Sequence, residues 1–544
     1  MIGVSLGRKV SCQLLAASSW ELVANFFPML SRFDFLVLAS SPALTRFHRR
    51  ASFVLRGAVV HDGTGAPGAR LDVSIESGRI TGIGAGLSGS RVIDLGGLVL
   101  APGFVDIHSH GDGTLDEDGR AESLIRQGIT TIVAGQDGGS RPDLRAPWPR
   151  SSVNVASMIG LGTVRGAVVG EDDRPATPAE LARMVAMVGD ALGSGACGAS
   201  SGLEYPPSGF ARPDELAAVC RPLAARGLPY ATHMRNEDDR LLESIDESIT
   251  VARGAGCPLQ VSHLKAQGPR NWGKMGDALA RLEAARAAGL DAGFDIYPYV
   301  AYATGLANLF PLWSRDGGTA QFLSRIASDS LKPRLRAETE AKVSLIGGWD
   351  NVLVSNAPAA GDQAAVGKRL GEYAQSKNAD PYETTVALLL AHKGEIGMVG
   401  FAMSEENVER GLAHPLASVC SDGGAVAIDG PTRRGRPHPR SVGTFPRVLG
   451  RYVRERKALT LETAIHKMSA RPAARVKLAD RGRIAVGMAA DLVAFDPATV
   501  IDKSTFEDPF QYPGGIELVV VNGEIALQGG NRTEARTGKS LRPA

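Results

Sequence analysis

The sequence predicts an α/β protein with a (β/α)8 TIM-like barrel and a small β-sandwich domain that is built from both flanks of the chain. Between about residues 101 and 470, short apolar runs alternate with amphipathic helical stretches about eight times, as is typical of a parallel barrel. In the flanks, residues 51–100 and 471–544, short β-like runs are separated by glycine-containing turns. A doubly wound open sheet is the alternative, but no G-x-G-x-x-G segment follows the first strand.

The composition is that of a folded globular protein. Apolar residues make up 44% of the 544 residues and charged residues 22%, which excludes a disordered or fibrous chain. The chain has 60 Lys and Arg against 58 Asp and Glu, so its formal charge of +2 provides no field for nucleic acid or an anionic membrane. We therefore expect a small-molecule substrate as partner, with no nucleic acid and no membrane.

Cysteine usage and apolar runs indicate the compartment. The five cysteines include no C-x-x-C pair, which argues against a disulfide framework or a zinc ribbon and for a reducing, cytoplasmic location. No apolar run reaches the roughly 18 residues of a membrane span. Residues 1–50 are predicted to be an extension, either disordered or a targeting segment, because Asp34 interrupts their apolar stretch FDFLVLA.

The barrel strands are assigned from the apolar runs in chain order. Eight candidates end at VDIHSH, TTIVAG, NVASMIG, ACGASSG, PYATHMR, LQVSHLK, AGFDIYP and ASVCSDG, and MVGFAMS is a surplus ninth. Amphipathic stretches such as TPAELARMVAMVGDALGSG lie between them. Residues from about 300 to 385 are predicted to be an insertion that could act as a lid.

Several of these strands end in histidine. His108 and His110 follow the first strand, and because residues two apart in a strand point the same way, both imidazoles can bind one metal ion. Later strand ends supply His233, His263 and Asp422. Barrel enzymes carry their catalytic groups at the carboxyl ends of the strands, so the five side chains predict a metal-dependent active site.

These segments resemble the amidohydrolase superfamily of metal-dependent hydrolases. APGFVDIHSHGD and SDG carry the general likeness, and SSGLEYPPSGFA, THMRNE, SHLKA, FDIYPY and HPRSVGTFPRVLG are similar to N-acyl-D-amino-acid deacylases, also called D-aminoacylases. The resemblance spans about residues 53–540. It implies hydrolysis of the amide bond of N-acyl-D-amino acids to a carboxylate and a free D-amino acid.

The resemblance also implies the roles of the site residues. His233 and His263 would hold a tightly bound Zn²⁺, His108 and His110 a second, weaker and more exposed metal, and Asp422 would act as base and acid. In many of these deacylases a cysteine in a G-N-C-G segment bridges the metals, but the corresponding residue here is Asp137, in Gly135-Gln136-Asp137-Gly138. Glu204, just past the fourth strand, is the first candidate to replace the cysteine, and Asp137 is the second.

Substrate recognition requires fixed cations for the α-carboxylate. Arg440 can form a bidentate pair with a carboxylate, and Lys265 lies two residues beyond His263 on the same face of its strand. The resemblance adds Tyr205 and Tyr297. The alternatives are a cyclic-amide hydrolase of the dihydroorotase or hydantoinase type, a dipeptidase of the same superfamily, or a non-catalytic metal-binding protein on the same barrel.

Overall fold

A computed structural model describes residues 53–146, 148, 150–358 and 363–544 of the chain. The extension predicted for residues 1–50 lies outside the described residues. In chain order, the strands are β1 (Phe53–Val60), β2 (Ala69–Glu76), β3 (Arg79–Gly84), β4 (Arg91–Asp94), β5 (Val99–Pro102), β6 (Phe104–Asp106), β7 (Ile129–Ala134), β8 (Asn154–Ser157), β9 (Ile159–Gly160), β10 (Ala199–Gly202), β11 (Tyr230–His233), β12 (Leu259–Val261), β13 (Ala292–Ile296), β14 (Tyr302–Gly305), β15 (Val352–Asn356), β16 (Gly397–Gly400), β17 (Ala417–Val419), β18 (Leu492–Phe495), β19 (Ile516–Val521), β20 (Glu524–Gln528) and β21 (Asn531–Arg532).

Helices alternate with these strands over most of the chain. They are α1 (Glu122–Arg126), α2 (Leu161–Val168), α3 (Pro178–Gly193), α4 (Pro213–Ala224), α5 (Leu241–Ala255), α6 (Met275–Ala287), α7 (Gly318–Ile326), α8 (Lys332–Leu345), α9 (Leu370–Ser376), α10 (Pro381–Ala391), α11 (Glu405–Ala413), α12 (Arg440–Arg447), which continues as a π-helix over Val448–Glu455, α13 (Leu461–Met468) and α14 (Ala470–Arg475). Local sequence sets their ends. Helix α3 begins with a capping box between Thr177 and Glu180, and α5 ends at Gly256, which takes the left-handed conformation that glycine tolerates best.

The predicted barrel is confirmed. Strands β6, β7 and β8 pair in parallel, and β9, β10, β11, β12, β13 and β17 form a second parallel run. The chain passes directly from β8 to β9 with Met158 between them, and a parallel bridge between Ser109 and Gly423 joins the first strand to the last. All eight predicted strands are therefore used, and their carboxyl ends share one face.

The surplus ninth run belongs to the insertion. MVGFAMS contains β16, which pairs antiparallel with both β14 and β15 in a separate three-stranded sheet. This sheet joins residues 302–305 to residues 397–400, so it extends beyond the predicted insertion end near 385. A buried antiparallel strand of four residues has the same apolar pattern as a barrel strand, so the sequence pattern does not distinguish the two.

The flanks meet in one nine-stranded sheet. Antiparallel pairing between β5 and β18 joins the strands before the barrel to those after it. Leu55 and Ile75 from the first flank share a buried core with Leu492 and Leu518 from the second. The accessory β domain built from both ends of the chain is thus confirmed.

Candidate metal centre

Six side chains with metal-binding chemistry converge at the carboxyl ends of five barrel strands. They are His108 and His110 after β6, Asp137 after β7, His233 at the end of β11, His263 after β12 and Asp422 after β17. The structure therefore brings together the four histidines and Asp422, which the strand ends predicted, and Asp137, the second candidate for the bridging ligand.

The backbone bends sharply at three of these residues. Asp137 has φ of +52°, His263 of +34° and Asp422 of +50°, all in the left-handed region that costs a non-glycine residue about 1–3 kcal/mol. Hydrogen bonds hold two of them there: the amide of His263 donates to Oδ1 of Asp295 at 2.8 Å, and that of Asp422 to the carbonyl of His108 at 2.9 Å. Backbone strain of this kind is typical of functional sites.

The first group of ligand atoms contains His108, His110, Asp137 and Asp422, with one nitrogen or oxygen of each within 4.8 Å of the others. Nε2 of His108 lies 3.4 Å from Oδ1 of Asp137, and Nε2 of His110 lies 3.1 Å from Oδ1 of Asp422. The side chain of His110 is 41% exposed, whereas that of His108 is 1% exposed. This group therefore faces solvent on the His110 side.

The second group contains Asp137, His233 and His263. Nδ1 of His233 lies 3.0 Å from Nε2 of His263, and Oδ2 of Asp137 lies 3.8 and 3.5 Å from these two nitrogens. All three side chains are nearly buried. Asp137 is thus common to both groups, and its carboxylate faces all four imidazoles.

This geometry reverses the order predicted for the bridging ligand. Oε2 of Glu204 reaches His233 alone, at 3.5 Å from the ring nitrogen Nε2, and lies in neither group. It also accepts a hydrogen bond from Asn308 at 3.1 Å, and Oε1 pairs with Lys342 at 3.7 Å. The geometry thus favours the second candidate, Asp137, because the left-handed turn at that residue directs its shorter carboxylate into the centre of the cluster.

Carboxylates also orient three of the imidazoles from outside the cluster. Oε1 of Glu237 lies 3.1 Å from Nδ1 of His263, and Oδ1 of Asp295 lies 3.5 Å from Nδ1 of His108. Glu204 takes the same place at Nε2 of His233. Such partners fix the tautomer of a ligating histidine and leave its other nitrogen free for the metal.

Sequence reasoning missed Glu237 and Asp295. Both stand in the segments that carry the resemblance, Glu237 in THMRNE and Asp295 in FDIYPY. The available signal is an acidic residue within or just after a strand whose neighbours end in histidine. A search for acidic residues at every barrel strand, beyond the histidine-bearing ones, would have found Asp295.

The electrostatics of the cluster favour positive charge. Burial is the largest influence on His233 and opposes its protonation, but Glu237, Asp137 and Glu204 outweigh burial and raise the pKa of His233 to about 10. The pKa of His108 is likewise raised well above its usual value against burial, by Asp137, Asp295 and Asp422. Burial also acts against the charged form of Asp137, but the surrounding histidines hold the pKa of this carboxyl well below its usual range.

The residues fit a bound divalent metal. Both ring nitrogens of His108 and Oδ1 of Asp137 are buried, and within the described part of the chain they have no hydrogen-bond partner. Buried polar atoms are rarely left unsatisfied. Because Nδ1 of His108 faces Asp295, Nε2 of His108 and Oδ1 of Asp137 are the atoms available as metal ligands. A donor set of imidazoles and carboxylates suits Zn²⁺.

A cavity of about 230 Å³ opens beside the cluster and contains all four predicted substrate contacts. Nη1 of Arg440 donates to Oδ2 of Asp422 at 2.6 Å, and its guanidinium lies 4.9 Å from the ring centre of Tyr297.

Among the described residues, the other predicted substrate contacts have partners of their own or none. Nζ of Lys265 donates to both oxygens of Glu237 at 2.7 Å. The hydroxyl of Tyr205 accepts from Thr304 of the insertion at 3.2 Å. The hydroxyl of Tyr297 is buried, with no hydrogen-bond partner among the described residues.

Comparison with known proteins points to one family. Residues 91–527 match the amidohydrolase family. The chain is 36% identical over 505 residues to the N-acyl-D-glutamate deacylase of Alcaligenes xylosoxydans xylosoxydans, which covers 87% of this chain and 93% of that protein. It is 34% identical over 518 residues to the D-aminoacylase of the same organism, with 90% and 97% covered.

A solved structure agrees with these relatives. It is the N-acyl-D-glutamate deacylase from Bordetella bronchiseptica, complexed with zinc and a phosphonate inhibitor that mimics the tetrahedral intermediate of its reaction. The TM-score is 0.76 at 31% sequence identity, and the match covers 91% of this chain and 100% of that chain. The likeness thus covers the barrel and the β domain together.

Proposed function

The chain belongs to the amidohydrolase family, and on that premise we propose that it hydrolyses the amide bond of N-acyl-D-amino acids to a carboxylate and a free D-amino acid. Relatives named N-acyl-D-glutamate deacylase and D-aminoacylase match nine-tenths or so of the chain. The observation that carries the proposal is that Arg440, a fixed guanidinium, shares one cavity with the histidine and aspartate cluster. The histidine and aspartate cluster is suited to amide hydrolysis, and Arg440 is suited to binding a substrate carboxylate.

The proposed cofactor is Zn²⁺, with one tightly bound ion and a second, weaker site. The nearly buried group of Asp137, His233 and His263 would hold the tight ion. His108, His110 and Asp422, which share Asp137 with it, would form the weaker and more exposed site. Zinc bound at such ligands supplies an activated water and polarises the scissile carbonyl.

Asp422 is the proposed general base and acid. Arg440 holds Oδ2, while Oδ1 faces His110 and the cluster. Burial would raise the pKa of this carboxyl, but Arg440 and His263 outweigh burial and hold it below its usual range, so Asp422 is ionised at neutral pH and can accept a proton. In the proposed reaction Oδ1 takes a proton from the attacking water and passes it to the leaving amine.

Arg440 is also the proposed anchor of the substrate α-carboxylate. Its Nη1 is engaged by Asp422, but among the described residues Nη2 makes only a 3.5 Å contact, with the carbonyl of Ala303. A substrate carboxylate could therefore pair with Nη2 and accept from the hydroxyl of Tyr297. Tyr205 and Lys265 complete the proposed contacts because they line the same cavity.

The test is hydrolysis by purified protein, with metal content measured on the same sample. We expect release of free amino acid from the N-acetyl derivatives of D-methionine, D-glutamate or D-aspartate, and little from the L-enantiomers. Turnover of hydantoins without turnover of these compounds would overturn the proposal in favour of a cyclic-amide hydrolase. Metal binding with no turnover of either class would favour a non-catalytic protein.

A further inference from the structure

A second cavity lies at the end of the barrel opposite the metal centre, with a volume of about 610 Å³. It opens where three barrel strands begin: Gln260 of β12 and Ser418 of β17 line it, and Asp291 lies immediately before β13. His263 and Asp422 follow the other ends of β12 and β17. The depth of the barrel therefore separates this cavity from the proposed active site.

The charged residues that line the cavity are mostly cationic. They are Arg286, Arg471, Arg475, Lys477, Arg481, Arg483 and Asp291. The cationic residues come from the ends of α6 and α14 and from the segment that leads to β18. Six cationic side chains thus surround one carboxylate.

The ion pairs do not balance this charge. Asp291 accepts from Arg286 at 3.0 Å and from Arg475 at 3.1 Å, so one carboxylate serves two guanidinium groups. Arg471, Lys477 and Arg483 have no carboxylate within ion-pair distance in the described ranges. Arg471 and Lys477 donate instead to the carbonyls of Pro415 and Arg226.

Two of the guanidinium groups are held in place by the fold. Arg481 is 6% exposed, and its Nη1 pairs with Asp491 at 2.6 Å. Its buried Nε has no hydrogen-bond partner among the described residues, and Oδ1 of Asp480 lies 3.8 Å from it. Arg475 reaches the strand end because position 293 is glycine: a Cβ there would lie 2.6 Å from its Nη2.

The close approach of these cations is unfavourable in the absence of an anion. Burial, followed by the charges of Arg475 and Arg286, lowers the pKa of Arg471. Burial and the charge of Arg471 lower the pKa of neighbouring Lys467 to about 7. Negative charge in the cavity would relieve this repulsion.

We propose that the cavity binds a small anion that carries two or more phosphate groups. Guanidinium groups match phosphate oxygens bidentately and remain charged at all physiological pH values. The volume lies within the roughly 300–1,000 Å³ of small-molecule sites, which leaves room for more than one phosphate. Residues 1–52 contain six Lys or Arg and two Asp or Glu, so that part of the sequence is itself net cationic.

The test is calorimetric titration of the metal-loaded protein with inorganic pyrophosphate and with ATP, at low and at high salt. We expect binding that weakens with salt and falls by at least about tenfold in the double variant Arg471→Gln/Arg475→Gln, which loses two phosphate contacts. Arg281→Gln/Arg410→Gln is the matched control, because it removes two exposed arginines paired with Asp246 and Glu406 on the outer helices. Arg483→Gln changes an exposed side chain, so it should fold as the wild type does and should also weaken binding.

The outcomes separate this site from the metal centre. Hydrolysis and metal content should stay unchanged in all three variants, since none of these residues lies at the cluster. Equal pyrophosphate binding by the wild type and the Arg471/Arg475 variant would place the anion elsewhere and overturn the proposal. Absence of pyrophosphate and ATP binding, with tight binding of a short oligonucleotide, would also overturn it.

Discussion

Replacement of Asp137 by asparagine should weaken binding of the tight metal, and it should do so more than replacement of Glu204 by glutamine. Both changes remove one negative charge and keep the size of the side chain. In the structure the Asp137 carboxylate lies 3.4–3.8 Å from a ring nitrogen of each of the four histidines. Glu204 reaches one histidine from outside the cluster, at 3.5 Å.

The size of the difference follows from these positions. Loss of an outer partner such as Glu204 typically weakens metal affinity by about 10- to 100-fold. Asp137 is the carboxylate shared by both ligand groups, and a unit charge at 4 Å is worth about 4 kcal/mol at an effective dielectric constant of 20. We therefore expect Asp137→Asn to bind metal at least about tenfold more weakly than Glu204→Gln.

The assay is competition for zinc with a chromogenic chelator, followed by elemental analysis of the dialysed protein. Asp137→Cys provides a matched control, because a thiolate restores a negatively charged zinc ligand at the same position and should recover metal that the asparagine loses. If Asp137→Asn keeps its metal and Glu204→Gln loses it, the shared carboxylate has been assigned to the wrong residue.

The remaining predictions concern the reaction and the stability of the fold. Asp422→Asn should lower kcat by about 10²- to 10⁴-fold and retain the tight metal; an unchanged kcat would remove Asp422 from proton transfer. Arg440→Lys should raise KM for N-acyl-D-amino acids. It should not change the turnover of an N-acyl amine that lacks the carboxylate, which is already poor in the wild type. Equal losses of activity on both substrates would mean that Arg440 acts through its pairing with Asp422. Burial, followed by the charge of Arg471, lowers the pKa of Lys467 to about 7. Between pH 7 and 10, Lys467 is therefore protonated in the unfolded chain and largely deprotonated in the folded chain. The free energy of unfolding should for that reason rise with pH over this range. Lys467→Met should remove this rise, which is at most about 1.4 kcal/mol per pH unit. The check is a series of urea unfolding curves at pH 7–10. If the free energy of unfolding of the variant rises with pH as steeply as that of the wild type, the assignment to Lys467 is contradicted.

Sequence reasoning succeeded where the information is local. The alternation of apolar runs and amphipathic helices identifies the barrel, because a parallel strand and its helix each leave their own periodicity in the chain. His108 and His110 are identified as a pair because they stand two residues apart at the end of a predicted strand, whose alternate residues share one face. The glycine-punctuated flanks likewise predict the β domain before any contact is known.

Only the tertiary structure shows which carboxylate lies among the four histidines. Glu204 and Asp137 both follow a barrel strand, and the sequence ranked Glu204 first although Asp137 stands where the resemblance places the bridging cysteine. The choice depends on the left-handed backbone at Asp137 and on the distances between strands that are far apart in the chain. For the same reason the pairing of Lys265 with Glu237 was invisible in the sequence.

The cationic cavity depends on tertiary structure most of all. Its arginines come from positions as distant as 286 and 483, and in the sequence each is an ordinary charged residue at a helix end or in a loop. Barrel closure brings them to one end because the beginnings of parallel strands share a face, as their ends do. The sequence thus determines the type of each element and the chemistry that each can offer, whereas the closed barrel determines which of these groups meet, since the contacts between them are long-range and leave no local pattern.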